Sequence, residues 1–293
     1  MTTRLVGTKG RGALRRVASA ALALGVAAGA VRADAQPRAA TGGLVSLQLR
    51  PKPGEVFRMR LDQDVEVTAI AKQGDGDTTM TVRTNLLVLT RSYVERTDSE
   101  GAIVLAITDS VLILSTGAAG DWIDQTMRRL RGQRLRTRLA PDGAMTLLDD
   151  GGDPQLRALV AGMPAMLPRE PVAPGATWTH TMRIPLAGEQ GATLGGELAA
   201  SFRFDSLSRN GDLAFVSMRG VIRQRKDAED VHGLHADVGG TMTGAILVDR
   251  RRGWIVDVRT TLQARSTLLP TGTPGPPMRF RMKVQQRLRA IEK

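Results

Sequence analysis

The chain has 293 residues, a formal net charge of +12 and no cysteine. The missing cysteine excludes disulfide staples, thiol catalysis, Cys-ligated zinc and a lipid-modified N-terminal cysteine. Aromatic residues make up only 3% and do not interleave with the basic residues, which argues against a stacking platform for nucleic acid.

Arg4, Lys9, Arg11, Arg15 and Arg16 precede an apolar run from Val17 to Val31, and Ala33-Asp34-Ala35 supplies a small-x-small cleavage pattern. At about 15 residues the run is shorter than the roughly 20 that span a bilayer. The expectation is a signal peptide over 1–35, with Gln36 as the new N-terminus and no membrane span after cleavage. The Arg15-Arg16 pair leaves the twin-arginine route open beside the general one. Removing this segment takes away six Lys or Arg and one Asp, leaving a mature charge of about +7. Such a surplus suits an anionic envelope surface as a partner.

Residues 36–43 read as a flexible leader, and 44–293 as a single β-rich domain. Within it, Phe57, Met59, Leu61, Val65, Val67 and Ala69 alternate with Arg58, Arg60, Asp62, Asp64, Glu66 and Thr68, the period of a half-buried strand. Further strands are expected over Met80 to Glu95 and Ile103 to Leu114, the latter apolar on both faces and therefore placed centrally. Asp121 to Arg131 reads as a short helix, through the stripe Trp122, Ile123, Thr126, Met127 and Leu130. A hairpin then follows over Arg134 to Leu139 and Ala144 to Leu148, around Pro141-Asp142-Gly143. A second helix is expected from Asp153-Pro154 to about Met166, stopped by Pro168.

The second half repeats the plan, with strands over Trp178 to Leu186, Leu194 to Leu207, Leu213 to Ile222, Val238 to Val248 and Trp254 to Leu268. A last strand, Met278 to Leu288, sets Met278, Phe280, Met282, Val284 and Leu288 against Arg279, Arg281, Lys283, Arg287 and Arg289. Gly101 and Gly211 lie 110 residues apart, as do Gly143 and Gly253, while the Pro-Gly turns at Gly54 and Gly175 lie 121 apart. These offsets point to two similar halves, about 44–150 and 172–293, joined by a helix and Pro-rich linker over 153–171. The fold class that follows is mainly β with a few helices: long antiparallel strands in a duplicated half-barrel or barrel-like sheet, with short helices covering it. An outer-membrane barrel would need aromatic girdles, which three Trp and one Tyr cannot furnish.

Few residues offer chemistry. His180 falls on an apolar strand face between Trp178 and Met182, so these three are candidates to line a cavity. His232 and His235 sit among Asp227, Glu229, Asp230 and Asp237, the densest group of potential metal ligands, although HxxH is not the HExxH of zinc hydrolases. No GxSxG elbow, SxxK motif or phosphate loop occurs, and no cofactor is expected.

The central phrase Leu167-Pro168-Arg169-Glu170-Pro171-Val172-Ala173-Pro174-Gly175-Ala176-Thr177-Trp178 resembles a Leu-Pro-x-x-Pro-Val-x-x-Gly-x-x-Trp phrase. That phrase lies between two β-rich halves in a family of secreted bacterial proteins of unknown function. The resemblance spans roughly Leu44 to Ile291 and implies no catalytic residues. The plan is also similar to that of periplasmic lipoprotein carriers, whose half-barrels cradle acyl chains beneath a helical lid. The sequence therefore leads to a non-enzymatic exported protein, periplasmic or secreted, that takes a lipid or other hydrophobic ligand on a concave sheet. Two alternatives stand beside it: a metal-assisted envelope hydrolase using His232 and His235, and an interaction module presenting the basic C-terminal strand.

Overall fold

The computed structural model describes residues 43–73, 76–116, 120–148, 165–186, 194–224, 234–270 and 276–291. Eleven strands form one antiparallel sheet: β1 Val56–Gln73, β2 Gly76–Asp98, β3 Gly101–Thr116, β4 Arg134–Leu139, β5 Met145–Leu147, β6 Thr177–Leu186, β7 Leu194–Leu207, β8 Leu213–Gln224, β9 Leu234–Asp249, β10 Trp254–Pro270 and β11 Met278–Ala290. The single described helix, α1, is Gly120–Leu130. The expected helix from Asp153 lies outside the described residues.

The sheet order is β5-β4-β3-β2-β1-β11-β10-β9-β8-β7-β6. Each half is thus a meander, and the first and last strands join the halves by pairing from Met59 opposite Ala290 to Ala71 opposite Met278. On its other side β11 pairs with β10, from Asp257 opposite Arg289 to Leu268 opposite Met278. This corrects the placement of β3. The sheet centres on β1 and β11, whereas β3 is paired by β4 only from Ala102 to Ile107. Its apolar outward residues Leu112 and Leu114 are exposed, so two apolar faces there do not mark a central strand.

The alternation in β1 holds across the whole sheet. In successive strands the register aligns Phe57, Met59, Val65 and Val67 with inward residues such as Val284, Leu262, Met242 and Leu198, all buried. Inward glycines let neighbouring side chains lie flat on the sheet. A Cβ at Gly244 would fall 2.7 Å from the Thr260 methyl and 2.8 Å from the Met218 methyl.

One end of the sheet gathers the short glycine turns, and a strap over 44–50 runs across it. Val45 bridges Val172, the Leu49 amide donates to the Pro141 carbonyl (2.7 Å), and the Arg50 amide donates to the Gly253 carbonyl (3.0 Å). Met166 and Leu167 amides both donate to the Asp142 carbonyl (2.9 Å each), and the Trp178 indole N–H donates to the Met166 carbonyl (3.1 Å). Through these links the β4–β5 turn and the edge strand β6 approach one another. The sheet is therefore curled but not closed, because β5 and β6 do not pair. The strap delivers Leu47 and Leu49 to the core, where Phe57 stacks on Trp254 at 4.2 Å and 5°. Burial of such large apolar side chains contributes about 1.5–3 kcal/mol each.

The two halves make matching hydrogen bonds. Val94 pairs with the Gly54 amide and the Glu55 carbonyl, and Phe204, 110 residues on, pairs with the Gly175 amide and the Ala176 carbonyl. Gly54, Gly143, Gly175, Gly211 and Gly253 all have φ between +57° and +92°, the left-handed region where a Cβ is disfavoured.

The β2–β3 turn is held by Asp98, whose carboxylate accepts from the Glu100 and Gly101 amides (2.9 and 3.1 Å) and from Arg138 (2.7 Å). The Arg138 hydrogen bond above all holds this carboxyl below its ordinary range. Because the folded value is depressed, the stabilisation exists above the unfolded value of about 4 and is lost as pH falls through the folded one. Asp98→Asn is expected to lower the thermal midpoint at neutral pH, with the gap from the parent closing on acidification. A gap that stays constant from pH 7 to pH 2.5 would show that the carboxylate charge is irrelevant.

Candidate functional site

Curling sorts the residues of every strand onto a concave inward face and a convex outward face, and the two differ in charge. None of the inward positions of the described strands carries Asp, Glu, Lys or Arg. The outward face is rich in ion pairs. Arg287 and Arg259 meet Asp257 at 2.7 and 3.2 Å, Arg60 meets Asp62 at 2.6 Å, and Arg91 meets Asp109 at 2.8 Å. An uncharged concave surface can take apolar matter but offers no counter-ion to a charged group.

Trp178, His180 and Met182 all lie on this inward face, on β6, opposite Phe202, Ala200 and Leu198 of β7. Each is half-buried. Trp178 stacks with Phe202 at 5.9 Å and 7°, and His180 approaches the same ring edge-on at 5.9 Å and 65°. Phe202 therefore orients both side chains, and the structure places the three predicted lining residues together. The buried Nε2 of His180 has no hydrogen-bond partner.

At the middle of the sheet the inward face carries residues that the apolar periodicity does not single out. Gln63 of β1 lies directly opposite Gln286 of β11, which lies opposite Thr260 of β10. Gln63 is 1% exposed, and neither its Oε1 nor its Nε2 has a partner. On its other flank Gln63 faces Leu86 of β2, which packs with Val111 and Ile113 under Met127 and Leu130 of α1. The signal was present in the sequence: Gln63 and Gln286 are the polar interruptions in the inward series of β1 and β11.

Of the candidate metal ligands, Asp227, Glu229, Asp230 and His232 lie outside the described residues. His235 is the second residue of β9, opposite Leu269 and outside the inward series. Among the described residues no three His, Asp or Glu side chains converge on a point that could hold a metal. The predicted basic stripe does form. Arg279, Arg281 and Lys283 are exposed on the outward side of β11, and Arg281 stands directly opposite Arg265 of β10. No described helix is long and apolar enough to cross a membrane.

The sequence matches no protein-family model and no curated relative. Among solved structures, it is similar to an outer membrane channel from Pseudomonas putida F1, at 9% identity and a TM-score of 0.22 over 88% of this chain and 100% of that one. An outer membrane protein from Pseudomonas aeruginosa matches at 10% identity and a TM-score of 0.13, over 84% of this chain and 100% of that one. A DUF1329 family protein from Desulfovibrio piger matches at 8% identity and a TM-score of 0.14, over 80% of this chain and 86% of that one. At such scores the likeness bears on neither the detailed fold nor the function of this chain.

Proposed function

We propose that this is a non-enzymatic protein of the bacterial envelope that holds an apolar-tailed ligand, a lipid or a comparable hydrophobic molecule, against its concave face. The carrying observation is that the inward face of the described strands is uncharged while the outward face is densely charged. A sheet that spanned a bilayer would be arranged the other way round. Arginine or lysine facing lipid at the midplane costs about 2–4 kcal/mol each, and β1 and β11 alone set Arg58, Arg60, Arg281, Lys283 and Arg287 outward. The charged exterior instead suits water or an aqueous periplasm, consistent with the export signal read over 1–35. The internal match of hydrogen bonds between the halves supports a duplicated origin for the cradle.

The test is native mass spectrometry of protein purified from its own envelope, combined with titration by a fluorescent fatty acid. An adduct removed by organic solvent, with saturable probe binding afterwards, is the expected result. Consistently bare protein that also ignores the probe would refute the reading.

A second reading, docking on an anionic envelope surface, is favoured by the Arg265–Arg281 pair. Like charges set directly opposite each other across strands are destabilising, so their juxtaposition suits a role in attracting an anionic partner.

A further inference from the structure

We infer that Gln63 forms a polar recognition point within the concave face, selecting ligands whose head group is uncharged and both donates and accepts hydrogen bonds. The inference rests on the ligand-holding reading above and specifies its chemistry. A buried amide with both polar atoms unpaired is rare, since each such group forfeits its hydration without recompense. Gln63 has one acceptor oxygen and a donor NH2, and both lack a partner at 1% exposure. Its inward surroundings are uncharged: Leu61 and Val65 precede and follow it on the same face, Leu86 lies beside it on β2, and Gln286 lies beside it on β11.

This setting defines the occupant. Ligand sites are mostly apolar, with a few placed polar groups that fix orientation. A carboxylate or phosphate here would meet no cation, because no inward position of the described strands carries one, and its desolvation would go unopposed. A methyl ester would satisfy the NH2 donor but leave Oε1 unpaired. A primary amide satisfies both atoms at once, as does a head group carrying both a hydroxyl and a carbonyl, on a long apolar tail. The chemical class is therefore a neutral fatty amide or hydroxylated acyl ester.

The experiment displaces Nile red from the full-length mature protein with oleamide, methyl oleate or oleate at pH 8. The parent is expected to prefer oleamide over both others by roughly tenfold, the scale of one buried hydrogen-bonding group left unsatisfied. Gln63→Leu should bring oleamide and methyl oleate to within about twofold of each other, while oleate stays weaker because its charge still meets no cation. Gln63→Met, closer in shape, gives the same readout should the Leu chain fail to fold. An unchanged ranking in the variants, or no ranking in the parent, overturns the assignment of Gln63 while leaving hydrophobic binding intact. A raised melting temperature in Gln63→Leu with the ranking retained means that Gln63 holds a buried water only, and overturns it likewise. Failure of Nile red and all three ligands to bind the parent overturns the broader reading as well.

Discussion

A chain ending at Gly275 is expected to yield no soluble folded protein. The truncation removes β11, which is the central strand that joins the two meanders, rather than an edge. It strips buried Phe280, Val284 and Gln286 and half-buried Met278, Met282 and Leu288 from the inward face. At about 1.5–3 kcal/mol per fully buried large apolar side chain, the loss approaches the 5–15 kcal/mol that holds a typical domain together. Two facing ladders, on β1 and on β10, would also lie bare and open to pairing with other chains. By contrast, changing the exposed Arg281 and Lys283 to Gln should leave the melting temperature within a degree or two, because surface charges contribute little to stability. That variant should lose only salt-sensitive binding to anionic vesicles. Recovery of a truncated chain that melts like the parent would refute the central position of β11.

The second large effect is expected at Gly253. It has φ +57°, and a Cβ there would lie 2.5–2.6 Å from the backbone N, C and O of Arg50. No rotamer relieves a clash with main chain, so Gly253→Ala must push the strap off the β9–β10 turn and break the Arg50 N–H to Gly253 carbonyl bond. Leu47 and Leu49, 0% and 3% exposed, would then be loosened from the core. A cost of roughly 3 kcal/mol or more in urea unfolding is expected, within the range for emptying one or two buried leucine sites. The comparison is Gly211→Ala, also at positive φ (+76°) but with only the Arg250 guanidinium nitrogen at 3.8 Å. That variant should lose only the backbone penalty of about 1–2 kcal/mol. Equal losses at the two glycines would mean that the strap contributes nothing at this turn.

The strand positions were legible because each strand is half-buried, and half-burial imposes a period of two on its residues. Arg134–Leu139 and Leu194–Leu207 match their expected bounds, and the helix expected over Asp121 to Arg131 differs by one residue at each end. Pairing between distant strands leaves no local trace. The alternation in Met278 to Leu288 shows that β11 buries one face, but not that β1 lies on one side of it. Hydrophobicity also misled at β3, whose outward Leu112 and Leu114 are exposed rather than sandwiched. The site was legible in part. The shared face of Trp178, His180 and Met182 on β6 follows from the alternation alone. Gln63 is inconspicuous in the sequence because it interrupts the apolar alternation of β1 as a single polar residue. Its importance comes from burial and from the facing Gln286, which is 223 positions away and becomes adjacent only in the folded sheet.

The β1–β11 seam also constrains the order of events during folding. Among the described strands β1 is made first and β11 last, so this partner of β1 exists only once β11 itself has been synthesised. Until then one ladder of β1 stays unsatisfied, while the local hairpins β1–β2, β2–β3 and β7–β8 are already available to form. Contacts of such large sequence separation are slow to close. The nascent chain therefore passes through a stage with an open, aggregation-prone edge, and this favours keeping it apart from its own copies until β11 has emerged.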